Sequence, residues 1–109
     1  MIRNLRTGTI ISKKELHCRN LFLLALGLRF RKPQVAVLHL PKLQRAPLDM
    51  WFVFFPIDVL FLDDRMQVVE IKRGLQPWQS FTSRKAWRVA VEIPSLRAYK
   101  VRLGDKLQF

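Results

Sequence analysis

The run Met50-Trp51-Phe52-Val53-Phe54-Phe55-Pro56-Ile57-Asp58-Val59-Leu60-Phe61-Leu62-Asp63 governs the reading of the whole chain, because a single carboxylate, Asp58, interrupts an otherwise apolar block. An unpartnered buried carboxylate costs on the order of several kcal/mol. Asp58 must therefore accept hydrogen bonds, reach solvent at a pleat edge, or do chemistry. Pro56 cannot donate to a sheet ladder, so the block divides into two strands, Met50–Phe55 and Ile57–Leu62. Strand alternation then puts Asp58 on the face opposite Ile57 and Val59, with Pro56 and Leu60. Two roles stand open for it: a ligand-binding or acid/base carboxylate in a cleft, or an acceptor of backbone N–H bonds that fixes the break beside Pro56.

Outward from this block the residue types predict more strands. Thr9–Ser12 is short and β-branched, and Gln34–Leu40 is bounded by Pro33 and Pro41. Asp63-Asp64 reads as a turn that returns Gln67–Ile71 as a hairpin partner. Ala86–Ile93 ends at Pro94, Ser95 is placed to cap a helical turn reaching Tyr99, and Lys106–Phe109 closes the sheet. Cys18–Leu26 lacks β-branched residues and is predicted as a helix of two to three turns, with Gly27 as its C-terminal cap. Pro41–Pro47 is predicted as a basic loop. The expected fold is a mainly β, compact antiparallel barrel or jelly-roll-like sandwich with one short early helix. Residues 1–8 are expected to form a basic N-terminal arm and residues 9–109 a single β domain.

A set of short motifs along the chain resembles the domain-of-unknown-function-192 family in its archaeal form. They are the Met50–Asp63 block, Gly27-Leu28-Arg29-Phe30-Arg31, Pro77-Trp78, Val91-Glu92-Ile93-Pro94 and Gly104-Asp105, in the family's order from about residue 9 to residue 109. The resemblance implies the same compact, mostly antiparallel β domain and no settled biochemical role. Arg29 stands where the family usually has Met, Leu96 where a Gly usually follows the proline, and Asp49 where archaeal members often have His. A pocket shared by the family is thereby expected to be altered here.

Charge is the chain's most unusual property. Its 109 residues include 20 Lys and Arg against 8 Asp and Glu, a formal net charge of +12. Residues 1–45 hold ten basic side chains and one acidic, residues 46–71 one and five, and residues 72–109 nine and two. Such a balance speaks to partners rather than fold, and it favours polyanions. Twelve of the cations are Arg, whose planar fork suits phosphate and stacks on bases. The sequence therefore leads to a non-catalytic RNA-binding structural protein, a ribosomal or other ribonucleoprotein component, with ribosomal RNA and neighbouring ribosomal proteins as partners. Its phosphate contacts are assigned to Arg3 and Arg6 in the arm, Lys13 and Lys14, and Arg29, Arg31 and Lys32 after the helix. Lys42 and Arg45 in the proline-bounded loop, Lys72 and Arg73, Arg84 and Lys85, and Arg97, Lys100 and Arg102 complete the set. Trp78 is the foremost stacking candidate, with Phe81 and Trp87 nearby, while the resemblance leaves the Pro77-Trp78 pair equally open to a role as a structural plug. The alternative is a small-molecule or carbohydrate-binding β domain with Asp58 and Trp78 in its cleft.

Other classes find little support. Among the acids Asp49, Asp58, Glu70, Glu92 and Asp105 no close pair emerges, and His17 and His39 lie far apart in sequence. No nucleophile-elbow pattern, metal-ligand spacing or Gly-rich phosphate loop is present, so no enzyme, metal or cofactor is expected. Cys18 stands alone, which rules out an internal disulfide and suits a reducing cytosol. Leu21–Leu28 resembles a signal-peptide core only superficially, for it lacks a small-x-small cleavage site. The thirteen-residue run 50–62 is shorter than the ~20 residues a membrane helix needs. The protein is expected in the cytoplasm, with no membrane contact and no small-molecule substrate.

Overall fold

The structure, a computed structural model, describes residues 1–18, 35–49, 55–77 and 79–109. Among the described residues ten strands follow in order: β1 Ile2–Asn4, β2 Ile10–Ser12, β3 Leu16–Cys18, β4 Ala36–Gln44, β5 Pro47–Asp49, β6 Ile57–Leu62, β7 Val68–Leu75, β8 Ser80–Thr82, β9 Trp87–Pro94 and β10 Leu107–Gln108. A five-stranded sheet, β3-β4-β9-β6-β7, forms the centre. A three-stranded sheet, β10-β1-β2, lies over one of its faces, and the β5-β8 ribbon over the other. All pairings are antiparallel except β3 with β4. The arrangement is sandwich-like, and among the described residues the sheets do not close into a barrel.

The sheet's two faces follow from alternation along its strands. Ile57, Val59 and Phe61 of β6 join Ala36, Leu38, Ala90 and Trp87 under the ribbon. Leu60 and Leu62 join Val35, Val37, Val89, Val91 and Ile93 beneath Ile2, Ile11 and Leu107 of the three-stranded sheet. All six residues of β6 are buried, because this strand is covered on both sides. The hairpin from β6 to β7 turns on Asp63, whose Oδ1 accepts the N–H groups of Arg65 and Gln67 at 2.9 and 3.0 Å.

Several expectations change. The basic arm is not free: Ile2–Asn4 is the middle strand of the three-stranded sheet, with Ile2 and Asn4 fully buried and only Arg3 of the three facing out. An apolar residue two before a small polar one gave the alternation a short edge sheet needs. The expected loop 41–47 is instead the end of β4 and the start of β5. Pro41 is tolerated because it falls inside the irregular register between His39 and Gln44, where no ladder donor is required. Cys18 ends a strand rather than starting a helix. The remainder of that helix and its Gly27 cap, together with the strand Met50–Phe55 as far as Phe54, lie outside the described residues. After β9 the chain forms a turn, not a helix, and no helix occurs among the described residues.

Candidate functional site

Asp58 is a structural carboxylate. Its Oδ1 accepts the N–H of Gly74 and the hydroxyl of Ser95, both at 2.8 Å, and its Oδ2 accepts the Tyr99 hydroxyl at 2.5 Å. Arg73 donates to the same Tyr99 oxygen at 2.8 Å and stands 3.9 Å from Asp58 Oδ2. Gly74 reaches this position through a left-handed backbone (φ 64°), which a side chain would strain. Burial pushes the Asp58 pKa up, but the bonds from Tyr99, Gly74 and Ser95 and the charge of Arg73 outweigh it and leave it lowered. The Tyr99 hydroxyl is raised by its own burial and by donating to Asp58. With both oxygens engaged, Asp58 stitches β6 to β7 and to the turn after β9. Trp78, expected to share a cleft with it, lies outside the described residues.

Asp105 is likewise satisfied. Its carboxylate accepts from Arg6 on both oxygens, from Asn4 Nδ2 at 2.8 Å and from the Arg102 N–H at 2.8 Å. The Arg6 guanidinium, with these other donors, holds it far below the usual carboxylate range.

Glu92 is different. It lies on β9 in the middle of the central sheet, directly opposite Ala36 on one side and Val59 on the other. It is 4% exposed, and its Oε2 has no hydrogen-bond partner among the described residues. Burial alone pushes its pKa up to about 8. At neutral pH the group is therefore mostly a neutral acid, holding a proton it can donate. Strand alternation puts Ala90 on the same face, so Glu92 sits among Ala36, Val59 and Ala90 with no other charged side chain beside it on β9. The signal was available in the sequence: Glu92 is a lone charge in the apolar run Val89–Ile93, as Asp58 is in its own block.

Sequence separation also hid a histidine pair. The parallel pairing of β3 with β4 brings His17 Nδ1 to 3.0 Å from His39 Nε2. His17 Nε2 meets Glu15 Oε1 at 2.9 Å, and that oxygen also accepts from the N-terminal ammonium. Phe109 sits edge-on to both rings. Burial pushes Glu15 up, and the ammonium and His17 together more than reverse it. The cluster ties the N-terminus, two strands and the C-terminus together. No group of three ligating side chains able to hold a metal occurs among the described residues.

The cations assigned to RNA do not gather on one face. Arg3 lies on the three-stranded sheet over one side of the central sheet, while Arg45, Arg84 and Lys85 border the ribbon on the other. Arg6 and Arg73 are engaged with Asp105 and Asp58. Arg45 Nε donates to the Ser83 carbonyl at 3.0 Å, and Lys72 stands 5.4 Å over the Phe81 ring. Lys13, Lys14, Lys42, Arg97, Lys100 and Arg102 are exposed at separate connections and strand ends. Arg29, Arg31 and Lys32 lie outside the described residues. Trp87 is fully buried, donating to the Ala46 carbonyl, and Phe81 packs 5.9 Å from Phe61, so neither offers a stacking platform.

The family DUF192, described as Uncharacterized ACR, matches residues 18–109. The chain belongs to this family. It is 32% identical over 90 residues to the UPF0127 protein PH1112 of Pyrococcus horikoshii, covering 78% of this chain and 77% of that one. The UPF0127 protein PYRAB11210 of Pyrococcus abyssi is equally similar, with coverage of 78% and 76%. Among solved structures, a "putative transcription regulator" from Sinorhizobium meliloti 1021 superposes with a TM-score of 0.83 at 17% identity, covering 98% of this chain and 90% of that one. A protein of unknown function from Novosphingobium aromaticivorans superposes with a TM-score of 0.76 at 19% identity, covering 87% and 74%. At those identities the likeness is one of fold. The ribosomal and RNA-binding reading is overturned: the DUF192 relatives are uncharacterised proteins, none of these similar proteins is described as ribosomal or RNA-binding, and the basic residues are split between opposite sides of the sheet. Charge alone misled here, because it fixes attraction to anions without specifying a surface.

Proposed function

We propose that this DUF192 protein is a non-catalytic binding domain whose ligand is a small nitrogenous base held by the Glu92 carboxyl. The observation that supports this reading is the contrast between Glu92 and the buried Asp58 and Asp105; Glu15 also has an unpartnered Oε2, but its other oxygen is held by the N-terminal ammonium and His17. Asp58 and Asp105 have their oxygens taken by donors, whereas Glu92 keeps an unpartnered oxygen in an apolar surrounding. Perturbed, unsatisfied carboxyls concentrate at functional sites. A neutral acid whose pKa is near 8 shares a proton with a weak base at little cost, and no net charge enters the apolar face. General acid/base catalysis would need a second group beside it, and Ala36 and Val59 are its neighbours across the sheet. The lone Cys18 thiol suits work in the cytoplasm. Among the described residues no helix is long and apolar enough to cross a membrane.

Titration with imidazole, followed by 13C NMR of the Glu92 side-chain carboxyl, tests the proposal. A saturable shift of that resonance, abolished as a binding response in Glu92→Gln while the variant stays folded, supports it. A response no larger at Glu92 than at exposed Asp64 overturns it.

A further inference from the structure

A second surface stands apart from Glu92. β7 is the last strand of the central sheet: β6 pairs with one edge, and among the described residues no strand pairs with the other. Among the described residues the Gly104–Asp105 turn occupies that edge of β7 at Val68, whose carbonyl accepts from Gly104 and whose N–H donates to Asp105, both at 2.8 Å. Beside the strand runs an open groove of about 440 Å³ lined by Val69, Glu70, Ile71, Phe81, Arg84, Lys85 and Leu103. Its walls are mainly apolar, and Leu103 is 65% exposed. The groove's one acid, Glu70, is held by the backbone N–H groups of Arg84 and Lys85 at 2.8 and 3.2 Å. Two exposed cations therefore face a single, already engaged carboxylate, and Lys72 adds a third positive charge over Phe81.

We infer that this edge binds an extended acidic peptide segment of a partner protein by strand addition to β7. Main-chain bonds to an exposed sheet edge supply affinity, and alternate side chains supply selectivity. Side chains of such a peptide on the ribbon side meet Val69 and Phe81, those on the other side meet Ile71, and its carboxylates reach Arg84 and Lys85. Charge selects the occupant. Lys72 and Arg73 on an edge strand repel basic strands, as edge charges generally do, but they match an acidic one. A second copy of this chain, itself carrying +12, would bring the same cations edge to edge.

The test uses the full chain and a fluorescent peptide of alternating Glu and Val. Polarisation measures binding, and 15N–1H NMR locates it. The expected result is saturable binding with shifts concentrated at residues 69–73, weakened about tenfold by Arg84→Glu with Lys85→Glu. Methylation of alternate peptide nitrogens should abolish it, because strand addition needs those donors. Equal binding by the all-D peptide, binding indifferent to the charge reversals, or shifts away from β7 overturn the inference. The two reversals lie in an exposed turn, and an unchanged far-ultraviolet spectrum checks that the variant remains folded.

Discussion

At the residue scale, what distinguishes the buried carboxyls is who reaches them. Asp58 draws its donors from Gly74, Ser95 and Tyr99, residues 16 to 41 positions away, which is why its two possible roles could not be separated in sequence. Glu92 Oε2 has no such donor among the described residues, and burial raises its pKa. Its folded-state pKa is about 8 against an ordinary 4.5, so between those values the folded chain holds more protons than the unfolded one. The stability associated with neutral Glu92 is therefore complete below about pH 4.5 and is lost as pH rises through about 8. The slope approaches ~1.4 kcal/mol per pH unit within that window. Glu92→Gln removes the titration. Urea midpoints of the variant minus those of the parent should grow from about pH 5 to about pH 9, by several kcal/mol when converted to free energy. A constant difference would mean that the carboxyl finds a partner on ionising.

At the element scale, the strands that form the sheet's centre were legible and its margins were not. Ile57–Leu62 and the hairpin behind it, together with the strand ending at Pro94, follow from apolar content and proline punctuation. β7 runs on to Leu75 through Lys72, Arg73 and Gly74, a stretch whose composition hides a strand that β6 holds in register. The tail of β4 was masked by Pro41, and β3 by a leucine-rich neighbourhood, since a strand of three residues has too few positions to show a period. The His17–His39 contact depends on that same unseen parallel pairing. β1 supplies the sharpest check on the margins. Ile2 is fully buried between sheets, so Ile2→Ala should cost about 2–5 kcal/mol. Arg3→Ala, on the outward face of the same strand, should stay within about 0.5 kcal/mol. A free basic arm would make both changes equally silent in a urea melt.

At the scale of the whole molecule, net charge acts on stability through a comparison of lengths. The described residues span 34 × 27 × 21 Å, with a radius of gyration of 12.6 Å. At about 0.01 M salt the screening length is ~30 Å, so nearly every cation feels every other across the fold. At about 0.15 M it is ~8 Å, and only neighbours interact. Local pairs such as Arg6 with Asp105, largely shielded at 4% exposure of the acid, lose less to added salt than the diffuse repulsion does. Raising sodium chloride across that range should therefore raise the melting temperature by several degrees, as relief of self-repulsion in a chain carrying +12 outweighs the loss of attraction. Calorimetry at constant pH decides it. A melting temperature that fell with salt would mean that the close pairs, at Asp105, Asp58 and Glu15, outweigh the long-range field, and that the positive charge is already balanced where the fold most needs it.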